Sequence, residues 1–427
     1  MHILITGASG FIGQHVMKTC LQAGHQVTAG VRNINWVNTY YPQANAITVD
    51  FTQDHDMEVW VSRLNTIDVV INCVGIIREQ GRQTFDNLHS KTACALFNAC
   101  EKVKIRKVIQ VSALGADETA FSEYHLSKKA ADDCLSQLNV DWTILMPSIV
   151  YGHGAKSLSF FKSLAALPFT PLVDKGDQPI QPVHINDLCK TVLLALGTDQ
   201  LSHQRLEVVG PTPITMRSMF ITLKRWLGVQ HQHFIPIPYQ WSLFAALLGG
   251  FLGNTPVSAE SIQMLKKGNT GDVAHFIAAT DITPRSFEEA IMNNPPLPSE
   301  SVYAKQFFLI PLLRMTLALL WTITGIVSAF IYPTEASFAM LAKVGIGESL
   351  APFALYSAAA LDLVLGFALL INYRLQLVIL LQITLMVSYS LLITVGMPEL
   401  WAHPFGPVTK NIPLMVATIL LLSTVRK

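Results

Sequence analysis

The first half of the chain alternates between short apolar runs and longer stretches in which apolar residues recur with helical spacing. Helical stretches such as 11–24 and 89–103 separate apolar, β-branched runs at 2–6, 26–32, 46–50, 68–75, 107–115 and 141–152. The β-branched runs predict strands, and a repeat of about 3.6 residues predicts helices. Strands that alternate with helices favour a doubly wound parallel sheet, which binds its ligand at the carboxyl ends of the strands.

The sequence pattern of residues 153–290 predicts a second, smaller lobe that would bind the substrate. The segment 205–228 has the pattern of a strand followed by a helix, and 283–291 that of a capped helix with an acidic first turn. The apolar stretch 241–253 is short and contains glycines, so it does not predict a membrane span. We interpret it as a lobe helix that either touches a membrane surface or lines an apolar substrate entrance.

The last third of the chain replaces this alternation with long apolar stretches, near 315–332, 352–372, 375–397 and 410–425. About 20 helical residues cross a hydrocarbon core, so the first three are long enough and the fourth is short. We predict an all-α domain of four transmembrane helices over residues 305–427, which makes membrane lipid a partner. A Pro- and Asn-rich linker at 293–304, expected to be extended, joins it to residues 1–292.

Composition supports this division. Of the 59 charged residues, 48 lie in the first 304 positions. The net charge of +1 predicts no basic surface for nucleic acid, which argues against that class of partner. The six cysteines lie in the first half without a Cys-x-x-Cys pair, which indicates free thiols and no metal site. The first apolar stretch lacks a basic leader, so we expect no cleavable signal peptide.

The basic residues of the membrane domain predict its orientation. Four spans place Lys343 and Lys410 on one side and five basic residues on the other, namely Lys305, Arg314, Arg374, Arg426 and Lys427. The positive-inside rule then predicts a multi-pass protein of the cytoplasmic (inner) membrane whose N-terminal domain faces the cytoplasm. Asp362 lies mid-span, and we expect it to face protein or water, with Arg314 as a candidate partner.

The turn after the first strand carries candidate nucleotide-binding chemistry. Its sequence, TGASGFIG, places Gly7, Gly10 and Gly13 between a strand and a helix. Glycine allows the tight turn and lets the backbone approach a pyrophosphate at the helix N-terminus. A tight turn without a ligand is the alternative, but the position between strand and helix favours a dinucleotide.

The end of the second strand indicates which dinucleotide. NAD-binding sites usually place an acidic residue there for the ribose hydroxyl, whereas this chain has Arg32. A guanidinium suits a 2′-phosphate, so the sequence favours NADP, with NAD as the alternative if Arg32 only stacks on the adenine or faces solvent. Asp50, which ends the third strand, either meets the adenine edge or caps a helix.

Several ordered motifs resemble one enzyme family. The order TGxxGxxG, NCVG, a serine after the fifth strand, YxxxK and PSIVYG resembles the extended or atypical short-chain dehydrogenases/reductases. The stretches VSALGAD and PVHINDLCKTV are similar to the branch that includes the nucleotide-binding accessory subunit of respiratory complex I. HPFGPVTKN and the four-span layout resemble a DoxX-like membrane domain. The resemblance implies a Rossmann-type fold for residues 1–292.

The same resemblance implies a catalytic set of Ser112, Tyr124 and Lys128. In EYHLSKK the tyrosine and lysine are four residues apart, so on a helix they share a face. A nearby ammonium favours the phenolate, so we expect Lys128 to lower the Tyr124 pKa and to hold the nicotinamide ribose. Tyr124 is then the general acid in reduction or the base in oxidation, and Ser112 binds the substrate oxygen. A solvated helix face and a strand-capping serine are the alternative.

The resemblance further implies the cofactor contacts. They are Gly7, Ser9, Gly10, Phe11, Ile12, Gly13, Arg32, Asp50, Asn72, Val74, Gly75, Lys128, Pro147 and Ile149. Where relatives often place an asparagine on the fourth helix, DNLHSK offers either His89 or Asn87. Met146 stands where relatives often carry arginine.

Three functions are compatible with these features. The first is a membrane-anchored, NADP-dependent oxidoreductase that acts on a hydrophobic carbonyl or alcohol, such as a quinone- or lipid-related molecule. The second is a non-catalytic NAD(P)H-binding accessory subunit of a membrane protein complex. In the third, the membrane domain is the functional unit and the nucleotide domain senses NADPH.

Overall fold

The structure, a computed structural model, describes residues 1–252 and 258–425. The chain divides into two compact units, Met1–Ala304 and Lys305–Lys427. Arg426, Lys427 and the last residue of the 241–253 stretch, all used in the predictions above, lie outside the described residues.

A seven-stranded parallel sheet forms the centre of the first unit, as the alternating pattern predicts. Its strands are β1 (His2–Thr6), β2 (Gln26–Val31), β3 (Asn45–Thr48), β4 (Val69–Asn72), β5 (Lys107–Val111), β6 (Asp141–Pro147) and β11 (Gln204–Val208). Their order is β11-β6-β5-β4-β1-β2-β3. The order reverses direction between β1 and β4, and such a switch point leaves a crevice at the carboxyl ends of the strands.

Helices cover both faces of this sheet. They are α1 (Phe11–Gln22), α2 (Ile34–Tyr40), α3 (Met57–Arg63), α4 (Thr92–Lys102), α5 (Glu123–Ser136) and α7 (Ile185–Gly197), with a π-helical turn at Asp86–Lys91 before α4. Alternate residues of β1 enter opposite cores, since Ile3 and Ile5 pack with α1 and α7, while Leu4 packs with α3 and α4. Burial on both faces explains why the strands are continuously apolar.

A smaller lobe follows the sheet. Its helices are α6 (Lys156–Ala165), α8 (Met216–Trp226), α9 (Tyr239–Leu252), α10 (Ala259–Lys267), α11 (Val273–Thr280) and α12 (Phe287–Met292). Three two-stranded pairs support them: β7 (Val150–Tyr151) with β10 (Val183–His184), β8 (Thr170–Val173) with β13 (Phe234–Ile237), and β9 (Pro179–Ile180) with β12 (Ile214–Thr215). The predicted capped helix is α12, whose N-cap is Ser286 and whose first turn holds Glu288 and Glu289.

The second unit is helical. Its elements are α14 (Leu309–Ile326) with a π-helical turn at Val327–Ile331, α15 (Thr334–Lys343), α16 (Ala351–Leu370), α17 (Leu375–Gly396), a 3₁₀ turn at Pro398–Trp401 and α18 (Asn411–Thr424). In α14 and α16 small residues permit close packing: a Cβ on Gly325 would lie 2.8 Å from the Ala359 carbonyl oxygen, and one on Gly366 would lie 2.5 Å from Thr322 Oγ1. Small residues commonly bring membrane helices together in this way.

The described residues contain three helices long and apolar enough to cross a membrane, and the fourth predicted helix, α18, is the short one expected, with 14 residues. Two other predictions about the C-terminal region need correction. The linker is not extended throughout, because Pro298–Gln306 forms helix α13; proline is tolerated in a first helical turn, where its missing N–H has no helical partner. Arg314 donates to the side chain of Asn372 rather than pairing with Asp362. Asp362 is buried, and its Oδ1 lacks a hydrogen-bond partner among the described residues.

Candidate active site

The glycine turn has the geometry of a cradle for a phosphate group. Gly7 follows β1 with a φ of +70°, which only glycine adopts easily. A Cβ on Gly13 would lie 2.2 Å from the Gly7 carbonyl oxygen, so no other residue fits there. Gly10 caps the N-terminus of α1, and Ser9 and Gly10 are exposed. Half-buried Phe11 and buried Gly13 continue the helix into the fold. The turn therefore fits a pyrophosphate at the positive end of α1.

The adenosine side of the crevice holds Arg32 and Asp50. Arg32 is exposed directly after β2, where a 2′-phosphate would lie. Asp50 accepts hydrogen bonds from Thr52 N–H at 3.0 Å, Thr52 Oγ1 at 2.8 Å and Gln53 Nε2 at 2.9 Å. Although partial burial alone would raise the Asp50 pKa, these bonds and nearby Arg32 lower it. Asp50 therefore closes a turn, whereas Asp56 caps the helix that follows.

Asn72 fastens three strand ends together. Its Oδ1 accepts from Thr6 Oγ1 at 2.6 Å, and its Nδ2 donates to Gln110 Oε1 at 2.8 Å. Its Oδ1 also accepts from the backbone N–H of Val74 at 3.2 Å. Asn72 is buried, so its side chain supports the loop of Val74 and Gly75 from the interior of the protein. Its expected contribution to cofactor binding is thus indirect.

Lys128 lies where strands β4 and β5 end. Ser122 caps α5 by accepting from His125 N–H, and the helix carries Tyr124 and Lys128 on one face. Lys128 Nζ donates to the carbonyl oxygens of Val74 at 3.0 Å and Val111 at 3.1 Å. Burial lowers the Lys128 pKa to about 8, against the opposing effect of Asp132. A Cβ on Gly75 would come within 3.3 Å of Lys128 Nζ, so glycine leaves room for the ammonium group.

Ser112 binds a carboxylate that the sequence predictions missed. Its hydroxyl donates to Asp132 on α5. Asp132 is fully buried, and its Oδ1 has no hydrogen-bond partner among the described residues. Burial raises the Asp132 pKa to about 7. One signal was available, because Asp132 continues the helical face of Tyr124 and Lys128 by another four residues.

The environment of Tyr124 differs from the expected one. Burial, with added repulsion from Asp132 and Glu260, raises the Tyr124 pKa to about 12. The predicted lowering by Lys128 is therefore wrong for this structure, because the Lys128 ammonium is directed at two backbone carbonyls. A phenol with such a pKa keeps its proton at neutral pH. It is better suited to donate a proton than to accept one.

The π-helical turn decides between His89 and Asn87. His89 is buried, and its Nε2 accepts from Ile76 N–H at 3.0 Å. Ser127 Oγ donates to the Tyr124 carbonyl, so it must accept from His89 Nδ1–H, at 2.9 Å. Burial and nearby Lys128 lower the His89 pKa to about 2, so the ring is neutral. His89 joins the β4 loop to α5, whereas the Asn87 side chain donates to the Arg82 carbonyl oxygen.

The remaining predicted contacts lie on the lobe side of the crevice. Pro147 ends β6, and its carbonyl oxygen accepts from Leu114 N–H at 2.9 Å. Ile149 N–H donates to Asn269 Oδ1 at 3.0 Å. Ile12 is half-buried on the first turn of α1. The predicted site residues therefore lie along one edge of the sheet, the edge formed by the carboxyl ends of its strands.

Helix α10 of the lobe contacts the first turn of α5. Glu260 Oε1 accepts from the backbone N–H of Tyr124 at 2.7 Å. Lys267 Nζ donates to the Thr119 carbonyl oxygen at 2.6 Å. The local sequence gives no signal for either contact, because the partners are 136 and 148 residues apart.

Two family models match separate parts of the chain. Residues 7–159 match an NAD(P)H-binding family, and residues 318–419 match the DoxX-like family. The chain therefore joins an NAD(P)H-binding domain of the short-chain dehydrogenase/reductase type to a DoxX-like domain, as predicted.

Curated relatives resemble the N-terminal domain. A ceramide reductase of Caulobacter vibrioides is 26% identical over 212 residues, which are 45% of this chain and 62% of the relative. Subunit 9 of the NADH dehydrogenase [ubiquinone] 1 alpha subcomplex is 25% identical in Dictyostelium discoideum, over 49% of this chain and 60% of the relative. The Mus musculus subunit is 24% identical over 66% of this chain and 72% of the relative. The match thus spans less than two thirds of the first two relatives.

Solved structures support the fold. A UDP-glucuronic acid 4-epimerase from Bacillus cereus, in complex with UDP-glucuronic acid and NAD, superimposes with a TM-score of 0.54 at 18% identity, covering 72% of this chain and all of the epimerase. A nucleoside-diphosphate-sugar epimerase from Staphylococcus aureus gives a TM-score of 0.56 at 16% identity, over 68% of this chain and 100% of its own. At such identities the likeness is one of fold.

Proposed function

We propose that this chain, an NAD(P)H-binding domain of the short-chain dehydrogenase/reductase type joined to a DoxX-like membrane domain, is a membrane-anchored oxidoreductase. It interconverts a hydrophobic carbonyl compound and its alcohol, with NADP favoured over NAD. The observation that supports the proposal is the position of Lys128, whose Nζ donates to the carbonyl oxygens of Val74 and Val111 at the ends of β4 and β5. Ser112 directly follows β5, and Tyr124 shares the helix face of Lys128, beside a glycine turn that no larger residue fits.

The protein residues then have distinct tasks. The glycine turn would hold the pyrophosphate of the dinucleotide, Arg32 the 2′-phosphate and Lys128 the nicotinamide ribose. Bound there, the nicotinamide supplies or accepts the hydride. Tyr124 donates its phenolic proton to the substrate oxygen during reduction, and Ser112 hydrogen-bonds the same oxygen. His89 holds the β4 loop against α5 through its bonds to Ile76 and Ser127, which supports the position of Tyr124.

Relatives and composition support an apolar substrate. The ceramide reductase relative favours a lipid carbonyl, and the complex I relatives favour a quinone-related molecule. Such a substrate would partition into the same bilayer as the membrane helices.

The proposed location is the cytoplasmic membrane, with the N-terminal domain on the cytoplasmic side. Lys305, Arg314 and Arg374 support this orientation through the positive-inside rule. An NADPH-dependent site needs access to the cytoplasmic pool of reduced cofactor, which agrees with the same orientation.

The test compares the full-length protein with Tyr124→Phe, which removes only the phenolic oxygen. We expect NADPH binding to remain and turnover of long-chain ketones or quinones to fall about 100-fold or more, as loss of a general acid typically costs. Tyr40→Phe, at a tyrosine exposed on α2, is the matched control and should leave turnover unchanged.

A non-catalytic accessory subunit is the second candidate. The raised Tyr124 pKa favours it, because the phenol is then a weaker acid and the phenolate that could act as a base is scarcely populated. If NADPH binds but neither wild type nor Tyr124→Phe turns over any of these substrates, the protein is a cofactor-binding subunit and the oxidoreductase proposal fails.

Cofactor preference has a separate test. Arg32→Ala should weaken NADPH binding about tenfold or more and leave NADH binding nearly unchanged, because only NADPH carries the 2′-phosphate. Arg225→Ala, at an exposed arginine of the lobe that pairs with Glu288, serves as control. An unchanged NADPH-to-NADH ratio in Arg32→Ala would exclude Arg32 as the selecting residue.

A further inference from the structure

Helix α9 exposes three large apolar side chains on one side of the helix. Trp241, Phe244 and Leu247 are 65%, 52% and 52% exposed, respectively. Their spacing of three residues keeps them on one side of the helix. The helix contains no charged residue along residues 239–252. Exposed apolar patches of this kind mark interaction sites.

The chemistry around the patch resembles that of a membrane interface. Tyr239 and Trp241 begin the helix, and these two residue types prefer the boundary between water and lipid. Lys266 Nζ on α10 lies 4.3 Å from the centre of the Tyr239 ring, and Lys267 Nζ lies 4.9 Å from the ring centre of Phe121. Both lysines are exposed, so their charges can reach anionic headgroups.

The same chain supplies the matching surface. Three of its helices are long and apolar enough to cross a membrane, so the first unit is tethered to a bilayer at high effective concentration. We infer that α9 docks on the lipid surface, with Trp241, Phe244 and Leu247 inserted among the headgroups and upper acyl chains. Apolar side chains that insert at this boundary lie about 5–10 Å deep.

Docking at α9 bears on the active site through one neighbouring element. Helix α9 packs on α10, and Glu260 of α10 accepts from the Tyr124 backbone N–H at 2.7 Å. An apolar substrate leaving the bilayer near α9 is thus one helix away from Tyr124. The inference extends the proposed function by giving the substrate an entry route. Its test reads lipid contact and not turnover, so the two can fail separately.

The test places a fluorescent amino acid, acridonylalanine, at position 241 of the full-length protein. Position 40 provides the matched control, since Tyr40 is 67% exposed and lies on α2. The protein is reconstituted in liposomes whose acyl chains carry bromine near the headgroup. We expect a severalfold larger loss of fluorescence at position 241 than at position 40. A label at position 244 repeats the measurement, and retained NADPH binding shows that each labelled protein is folded.

Two outcomes would overturn the inference. Equal, weak quenching at positions 40, 241 and 244 would mean that protein or water covers the helix instead of lipid. Energy transfer between labels at position 241 that disappears on dilution with unlabelled protein, without lipid quenching, would assign the patch to a second copy of the chain.

Discussion

Ser112 has one hydroxyl hydrogen, and in this structure Asp132 accepts it. While Asp132 is ionised, Ser112 can offer only lone pairs to a substrate, which suits an alcohol. Once Asp132 is protonated, its own proton can bond Ser112 Oγ, and the serine hydrogen is released toward a carbonyl oxygen. Burial raises the Asp132 pKa to about 7, so the exchange falls within the physiological range.

This arrangement predicts a pH-dependent reductase. Carbonyl reduction should rise as pH falls through about 7, because Asp132 then carries its proton. Asp132→Asn mimics the protonated carboxyl and should retain reduction while losing the inflection near that pH. Asp133→Asn changes the next residue, whose carboxylate pairs with Lys129 and Arg205, and should keep it. The test measures kcat as a function of pH for wild type, Asp132→Asn and Asp133→Asn. An unchanged inflection in Asp132→Asn would exclude Asp132 as the source of the pH dependence.

Gly13 makes a second residue-level prediction. In Gly13→Ala the new Cβ would lie 2.2 Å from the Gly7 carbonyl oxygen, so the turn must open. We expect NADPH affinity to fall about tenfold or more, measured by titration calorimetry. Gly197→Ala changes the last residue of α7, where nothing lies within 4 Å of the new Cβ. This control variant should bind NADPH normally. Unimpaired binding by Gly13→Ala would mean that the turn does not hold the pyrophosphate.

At the scale of elements, the π-helical turn before α4 positions two parts of the site together. His89→Leu removes the acceptor of Ile76 N–H and the donor to Ser127. We expect a loss of about 1–3 kcal/mol in the free energy of unfolding of this unit, as an unpaired buried N–H typically costs, with weaker NADPH binding. Asn87→Leu changes a residue of the same turn whose side chain bonds the Arg82 carbonyl oxygen and not the site. This control variant should bind NADPH as wild type does. Denaturant titration with and without NADPH makes the comparison.

The membrane helices give a corresponding prediction. Gly366→Leu must separate α14 from α16, because even a Cβ would lie 2.5 Å from Thr322 Oγ1 and 2.9 Å from the Ala318 carbonyl oxygen. The melting temperature in detergent should therefore fall. Gly347→Leu changes a glycine with nothing within 4 Å and should melt like wild type. Equal melting of the two variants would show that close packing at Gly366 contributes nothing.

The sequence predicted the elements whose signals are local. Strands β1 to β6 and the glycine turn follow from apolar runs and from one short motif. Each strand begins within one residue of its predicted start, whereas β4, β5 and β6 end three to five residues before their predicted ends. His89 could not be placed because a π-helical turn breaks the 3.6-residue register on which the prediction depended. Glu260 was missed because its partner is 136 residues away. The Tyr124 pKa was misjudged because burial and the carboxylates of Asp132 and Glu260 raise it. Of these two residues, only Asp132 is indicated by the sequence, through its place on the same helical face.

At the scale of the whole molecule, the membrane unit predicts which loops share a side. Lys343 Nζ lies 3.4 Å from Glu399 Oε1, so the segments after α14 and after α17 lie together. Asn372 and Arg374 connect α16 to α17 at the opposite end. In sealed inverted vesicles, a protease site inserted at 372–374 should be cut from the side of the N-terminal domain. A site inserted at 403–409 should be protected. If both sites were cut from the same side, the prediction that α14, α16 and α17 each cross the membrane would be wrong.

The hydrogen bond between Glu260 and the Tyr124 backbone also has a consequence for the synthesis of the chain. Helix α5 gains this contact only after 136 further residues have been added, which takes roughly 7–27 s at bacterial or eukaryotic rates of synthesis. Asn269 and Arg285, which bind Ile149 and Asp187, are added later still. All three precede Leu309, where α14 begins. All residues of the cofactor-binding unit are therefore synthesised before the first long apolar helix, and these contacts form without any residue of the membrane unit.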